Sequence, residues 1–239
     1  MNNRRTLIAA IVGGALILGA AAVAILYFAV FAGSSPEKLA LSSPTPSTSG
    51  SPGASSSVGA GAWTIDSGSQ AGYRVREKLA SFSAPSDAVG RTTAVTGTLT
   101  LSQAASGFSV EAASFTVDVS KLSSDQSRRD QRIHSQGLQS DRFPTATFKL
   151  TSPIALTADA GNGQTVHVSA TGDLTIHGVT KSVTIPIDAR LTGSKIELVG
   201  SITFPFSQFG MTPPSIGGFV SVENNATMEF QLLLTPQGA

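Results

Sequence analysis

The sequence predicts an all-β domain of eight antiparallel strands, closed as a barrel or folded as a sandwich, with one short helical insertion. Three observations predict it. Apolar residues alternate with polar ones at period two in eight runs between Ala71 and Leu234. Turn-forming residues stand between neighbouring runs, at Gln103 to Gly107, at His177-Gly178 and at Thr192-Gly193-Ser194. One stretch, Ser123 to Gln139, has no period-two signal at all.

The runs can be taken in order. Ala71, Tyr73, Val75 and Glu77 share one face of the first, and Val95, Gly97, Leu99 and Leu101 one face of the second. In the third, Phe108, Val110 and Ala112 alternate, and then Phe115, Val117 and Val119 do so in the opposite phase. That change predicts a β-bulge near Ala113. Ala146, Phe148 and Leu150 mark the fourth; Val166, Val168, Ala170, Leu174 and Ile176 the fifth; Val183 to Leu191 the sixth. Ile196, Leu198, Ile202, Phe204 and Phe206 mark the seventh, and Met228, Phe230, Leu232 and Leu234 the eighth. Each strand thus has one dry and one wet face, and eight such strands bury their dry faces by closing as a barrel, which also removes exposed edges, or by folding as a sandwich. In the exceptional stretch, Ser123 and Gln126 predict a capping box that opens one or two helical turns, with Gly137 ending them.

Two further zones precede the domain. Residues 1–6 carry Arg4 and Arg5, and no charged residue follows until Glu37. Residues 7–32 predict a transmembrane helix, because 25 nearly continuous apolar residues at about 1.5 Å each span a hydrocarbon layer of about 30 Å. The positive-inside bias places the N-terminus in the cytoplasm and the rest outside it. A signal peptide cut after Ala32 is the rival, although its apolar core is usually shorter. Residues 33–62 are rich in Ser, Pro and Gly and predict a disordered tether. The β domain then occupies 63–239.

Composition excludes several classes of function. Charged residues are 13 % of the 239 and the net charge is +1, so no basic field exists for nucleic acid. Without cysteine there is no disulfide, thiolate metal site, cysteine nucleophile or acylated lipoprotein anchor. His134, His167 and His177 lack metal-ligand spacing, so no metal site is expected. No phosphate loop or nucleophile elbow is present, so no catalytic residue is assigned.

The candidates that remain suit binding. Ala71, Tyr73, Val75, Glu77, Phe115, Phe148, Ala170, Phe204 and Phe230 lie on dry faces and are candidate cavity-lining residues. Core packing alone explains the aromatic ones, and a ligand cavity needs the same residues plus empty space. Glu77 is a charge on a dry face, either buried or at the strand's wet end. Arg128, Arg129 and Arg132 fall on one helical face with Asp125, as a candidate rim contact for an anionic group or as a solvated face.

From Trp63 onward the chain resembles the YceI-like family. The resemblance rests on Ser69-x-Ala71-x-Tyr73-x-Val75 and Val95-x-Gly97-x-Leu99. It rests also on Arg129-Asp130, on Phe-Pro-x-x-x-Phe from Phe143 to Phe148, and on Leu-Thr-Ile-His-Gly-Val-Thr-Lys within Gly172 to Ile187. It implies an elongated eight-stranded lipocalin-like barrel outside the cytoplasm. It implies also an apolar tunnel for a polyisoprenoid chain and a carrier or storage role without cofactor or catalysis. Two departures stand out. Glu77 replaces a frequent histidine, and Ser207-Gln208-Phe209-Gly210 lacks the family's arginine. The expected function is a membrane-tethered module that binds an isoprenoid or similar amphipathic lipid. The alternative is an envelope structural or interaction module with a filled barrel.

Overall fold

The computed structural model describes residues 35–43, 59–79, 86–104, 107–192, 194–216 and 220–238. The expected membrane span, 7–32, lies outside these residues, as does most of the expected tether. Among the described residues no helix is long and apolar enough to cross a membrane.

Twelve strands form one sheet: β1 Gly61–Ile65, β2 Gln70–Leu79, β3 Ser86–Thr92, β4 Val95–Ala104, β5 Gly107–Asp118, β6 Thr145–Leu150, β7 Ile154–Thr157, β8 Val166–Ile176, β9 Val179–Thr192, β10 Lys195–Pro205, β11 Ser215–Ile216 and β12 Val220–Pro236. Eleven of them make eight staves, because three staves are built from two strands each, and the two-residue β11 pairs with β12 off the ring. β1 and β2 both pair with β12, β3 pairs with β2 while β4 pairs with β1, and β6 and β7 both pair with β5. The ring runs β1/β2, β3/β4, β5, β6/β7, β8, β9, β10, β12 and back to β1, antiparallel throughout. Closure gives every stave a paired neighbour on both sides.

The eight alternating runs therefore become eight staves, one each. The pattern does not show β1, β3, β7 or the two-residue β11. β3 reads Ser-Asp-Ala-Val-Gly-Arg-Thr and buries Ala88, Val89 and Gly90 in succession, so no period-two signal exists to find. The bulge in β5 falls at Glu111, between the pairs Thr100–Ala112 and Leu101–Val110. It turns Ala113 inward and leaves Ala112 exposed, so Ala112 leaves the dry face on which the alternation placed it. The β8–β9 turn is His177-Gly178, both with positive φ (53° and 73°), which suits the twist of a two-residue hairpin.

The non-alternating stretch forms helix α1, Ser127–Arg132, continued by one wider turn, Ile133–Gly137. The Ser123–Gln126 capping box does not form. Instead Asp130 Oδ1 accepts from the Ser124 backbone N–H (2.9 Å) and hydroxyl (2.6 Å), so the cap works from a residue inside the helix.

The chain divides into two compact units, Met1–Pro36 and Glu37–Ala239. In the second, residues 37–43 are a strap rather than the free tether their composition predicts. Gln231 donates to the Ala40 carbonyl (3.1 Å), while Arg91 and Arg190 donate to the carbonyls of Glu37 and Ser42. The Ser42 N–H and hydroxyl both donate to Glu197 Oε1 at 2.8 Å. The strap's backbone groups find their partners in polar side chains of the wall. Glu197 alternates with inward Leu198, yet it is only 1 % exposed.

Candidate functional site

The barrel interior is apolar from end to end. One cluster packs around Trp63, Leu99, Leu101, Leu198, Leu232 and Leu234, and a second around Val75, Leu174, Ile185, Phe204, Phe206 and Phe209. Space remains between them. Three adjoining chambers have cavity volumes of about 90, 60 and 80 Å³. The first and middle share Ala71, Val117, Ala146 and Met228 as walls. The middle and last share Phe115, Phe148, Ile187 and Leu198. A water needs about 10–15 Å³ and two to four polar partners. These chambers have the room and almost none of the partners, so they favour an apolar guest over water.

Paired glycines and aromatic rings shape the bore. Tyr73 lies opposite Gly90, Phe115 opposite Gly97 and Phe230 opposite Gly200, with Phe148 over Gly172. A Cβ on any of the four glycines would sit 2.3–2.5 Å from the nearest ring carbon. The small residues on the dry faces therefore do not all leave empty space, as a count of glycines suggests. They let large rings lie against the wall instead of projecting across the lumen.

Eight of the nine candidate lining residues face a chamber. Ala71, Tyr73, Val75 and Phe204 line the first, Phe115, Phe148 and Phe230 the middle one, and Ala170 the last. Glu77 does not. It stands at the α1 end, where its carboxylate accepts from Arg129 Nε (3.1 Å) and Nη2 (3.2 Å). Arg129 Nη1 donates to Asp125. Burial alone would lower the Arg129 pKa, but these two carboxylates hold it above the ordinary arginine value. The three arginines thus do not form one cationic face: Arg129 turns toward Glu77, Arg128 is exposed and Arg132 is partly exposed. The alternation misses Ile133, Leu138, Met211 and Pro214, which close the α1 end of the first chamber. Ile133 and Leu138 are the apolar pair in an otherwise polar stretch, which was the available signal.

Polar atoms near the lumen are few. The Tyr73 hydroxyl is buried and has no partner, and burial raises its pKa well above the ordinary phenol value. Outside the lumen, Arg74 and Arg91 pair with Glu229, whose side chain is 3 % exposed. His167 pairs with Asp188 on the wet face. Among the described residues no group of three or more acidic or histidine side chains could hold a metal.

A closed eight-stave antiparallel barrel with a dry lumen and a helical segment at one end defines a class of small β-barrels. Residues 63–234 match the YceI-like domain, and the chain belongs to the YceI-like family. A UPF0312 protein of Vibrio parahaemolyticus is 31 % identical over 114 residues, 45 % of this chain and 57 % of that protein. A UPF0312 protein of Shewanella denitrificans is 33 % identical over 102 residues, 40 % of this chain and 50 % of that one. The matches thus span about half the length of these relatives. A polyisoprenoid-binding domain from Saccharophagus degradans, implicated in plant cell wall breakdown, shares the fold. It aligns with a TM-score of 0.55 at 14 % identity, covering 73 % of this chain and 98 % of that domain.

Proposed function

We propose that this chain is a binding module that holds an isoprenoid or similar amphipathic lipid in its lumen, as carrier, store or sequestering agent. The observation that carries the reading is the row of three chambers, each roomier than a water requires and almost without polar partners. Each methylene of a lipid tail buried there contributes about 0.8 kcal/mol. Membership of the YceI-like family and the shared fold with a polyisoprenoid-binding domain support the same choice.

The proposal includes a membrane tether, supported by the apolar run of residues 7–32 and by Arg4 and Arg5 before it. A lipid must leave or enter a bilayer, and a tether raises the domain's local concentration there. The full chain is expected to stay with membranes through a carbonate wash. A soluble mature chain beginning near Gly33 would replace the tether with a cleaved signal.

All pairings of the barrel ring close within residues 61–236, so residues 37–239 are a self-contained folding unit. That unit is expected to carry an extractable lipid through purification, or to take up an added prenyl compound, read by mass spectrometry. A lipid-free unit that refuses a panel of isoprenoids would favour the alternative, a structural or interaction module of the envelope.

A further inference from the structure

We propose that Tyr73 is a specificity-determining residue that selects lipids whose head is an uncharged hydrogen-bond acceptor, held inside the barrel at the α1 end. This rests on the reading of the lumen as a lipid site. Among the described residues, the Tyr73 hydroxyl is the buried, unpartnered side-chain polar atom that belongs to a wall residue of the first chamber. The ring cannot swing back through its own wall, because it lies over Gly90 with Cε1 2.3 Å from where a Cβ would be. The wall behind the ring leaves the hydroxyl on the lumen side, as a donor without an acceptor. Burial raises its pKa, so it keeps its proton across the neutral range.

The surroundings decide the charge of the head. Among the described residues, the charged groups that act most on Tyr73 are one guanidinium, Arg129, and three carboxylates, Glu77, Asp125 and Asp130. Arg129 is already held by Glu77 and Asp125, while Asp130 caps Ser124. A phosphate or carboxylate arriving here meets carboxylates and a guanidinium that two of them already pair. A ketone, aldehyde or ester oxygen meets a waiting O–H and no repulsion. The matching ligand class is a polyprenyl chain ending in a carbonyl oxygen, with the tail running toward the middle chamber.

The test uses residues 37–239 and three probes: a prenyl ketone such as farnesylacetone, a prenyl hydrocarbon of similar length, and a prenyl phosphate. The variant is Tyr73→Phe, which keeps the ring and removes only the hydroxyl. The parent is expected to bind the ketone about five- to tenfold more tightly than the hydrocarbon, the worth of one net hydrogen bond. It should bind the phosphate more weakly than the ketone. Tyr73→Phe should lose the ketone preference, keep its hydrocarbon affinity, and melt at a higher temperature when ligand-free, since it no longer buries an unpaired hydroxyl. Equal ketone affinity of parent and variant, with hydrocarbon binding intact, overturns the proposal and leaves the lipid reading standing. Tightest binding of the phosphate by the parent overturns it too. Failure of every probe, the hydrocarbon included, overturns the lipid reading and this inference with it.

Discussion

Gly90 on β3 faces Tyr73 on β2, and a Cβ at position 90 would stand 2.3 Å from the Tyr73 ring. No real pair of carbons tolerates that distance, so the glycine is what allows the ring to lie against the wall. Gly90→Ala should push the ring into the first chamber. Overpacking of this kind costs about 1–3 kcal/mol. Chemical denaturation should show that loss, and lipid uptake should fall with it. A variant as stable and as receptive as the parent would show that the ring has another resting place.

Ala170 lines the last chamber and is 2 % exposed. Ala170→Phe should fill that chamber from its wall. Excluding about two methylenes of a tail, at about 0.8 kcal/mol each, predicts at least a tenfold weaker affinity for a long prenyl chain. A prenyl compound short enough to avoid the last chamber should be bound as before. Circular dichroism checks that the barrel still forms. Unchanged affinity for the long chain would mean that the tail lies elsewhere.

Glu77 neutralises Arg129 at the α1 end. Glu77→Gln should leave one guanidinium edge without its carboxylate. The variant is expected to bind a prenyl phosphate several-fold more tightly than the parent, with the gain shrinking as salt rises. Binding measured at low and high ionic strength checks both parts. No gain at low salt would mean that the guanidinium stays out of the ligand's reach.

Glu197 links the strap to acid stability. Burial alone would raise its pKa, but hydrogen bonds from Gln231, Ser42 and Arg190 outweigh burial and hold it below the ordinary carboxylate value. A depressed folded pKa stabilises the fold fully above the unfolded value, about 4.3. That contribution is lost as the pH falls through the folded value. Ser42→Ala removes one donor, so the folded value rises and the loss is complete at a higher pH. The acid-unfolding midpoint should move up, and stability at neutral pH should fall by about 0.5–1.5 kcal/mol. Identical acid titrations of parent and variant would separate the strap from Glu197.

The sequence by itself determined the local, periodic features. Alternation in runs such as Val183 to Leu191 sets which side chains turn inward, because successive side chains of a strand point to opposite faces. Eight such runs set the number of staves. The phase change around Ala113 announces a bulge, and the polar stretch before Gly137 announces a break in the barrel pattern. Tertiary structure decided what depends on residues far apart in the chain. Gly200 is a small residue until β10 pairs with β12 and places it under Phe230. Glu77 is a misplaced charge until α1 brings Arg129 to it, 52 residues away. Glu197 sits on a wet face by alternation and is buried because Ser42, 155 residues earlier, lies across it. Period two records only the direction of a side chain from its own strand. What that side chain meets there depends on closure of the barrel, and closure is a property of the whole ring.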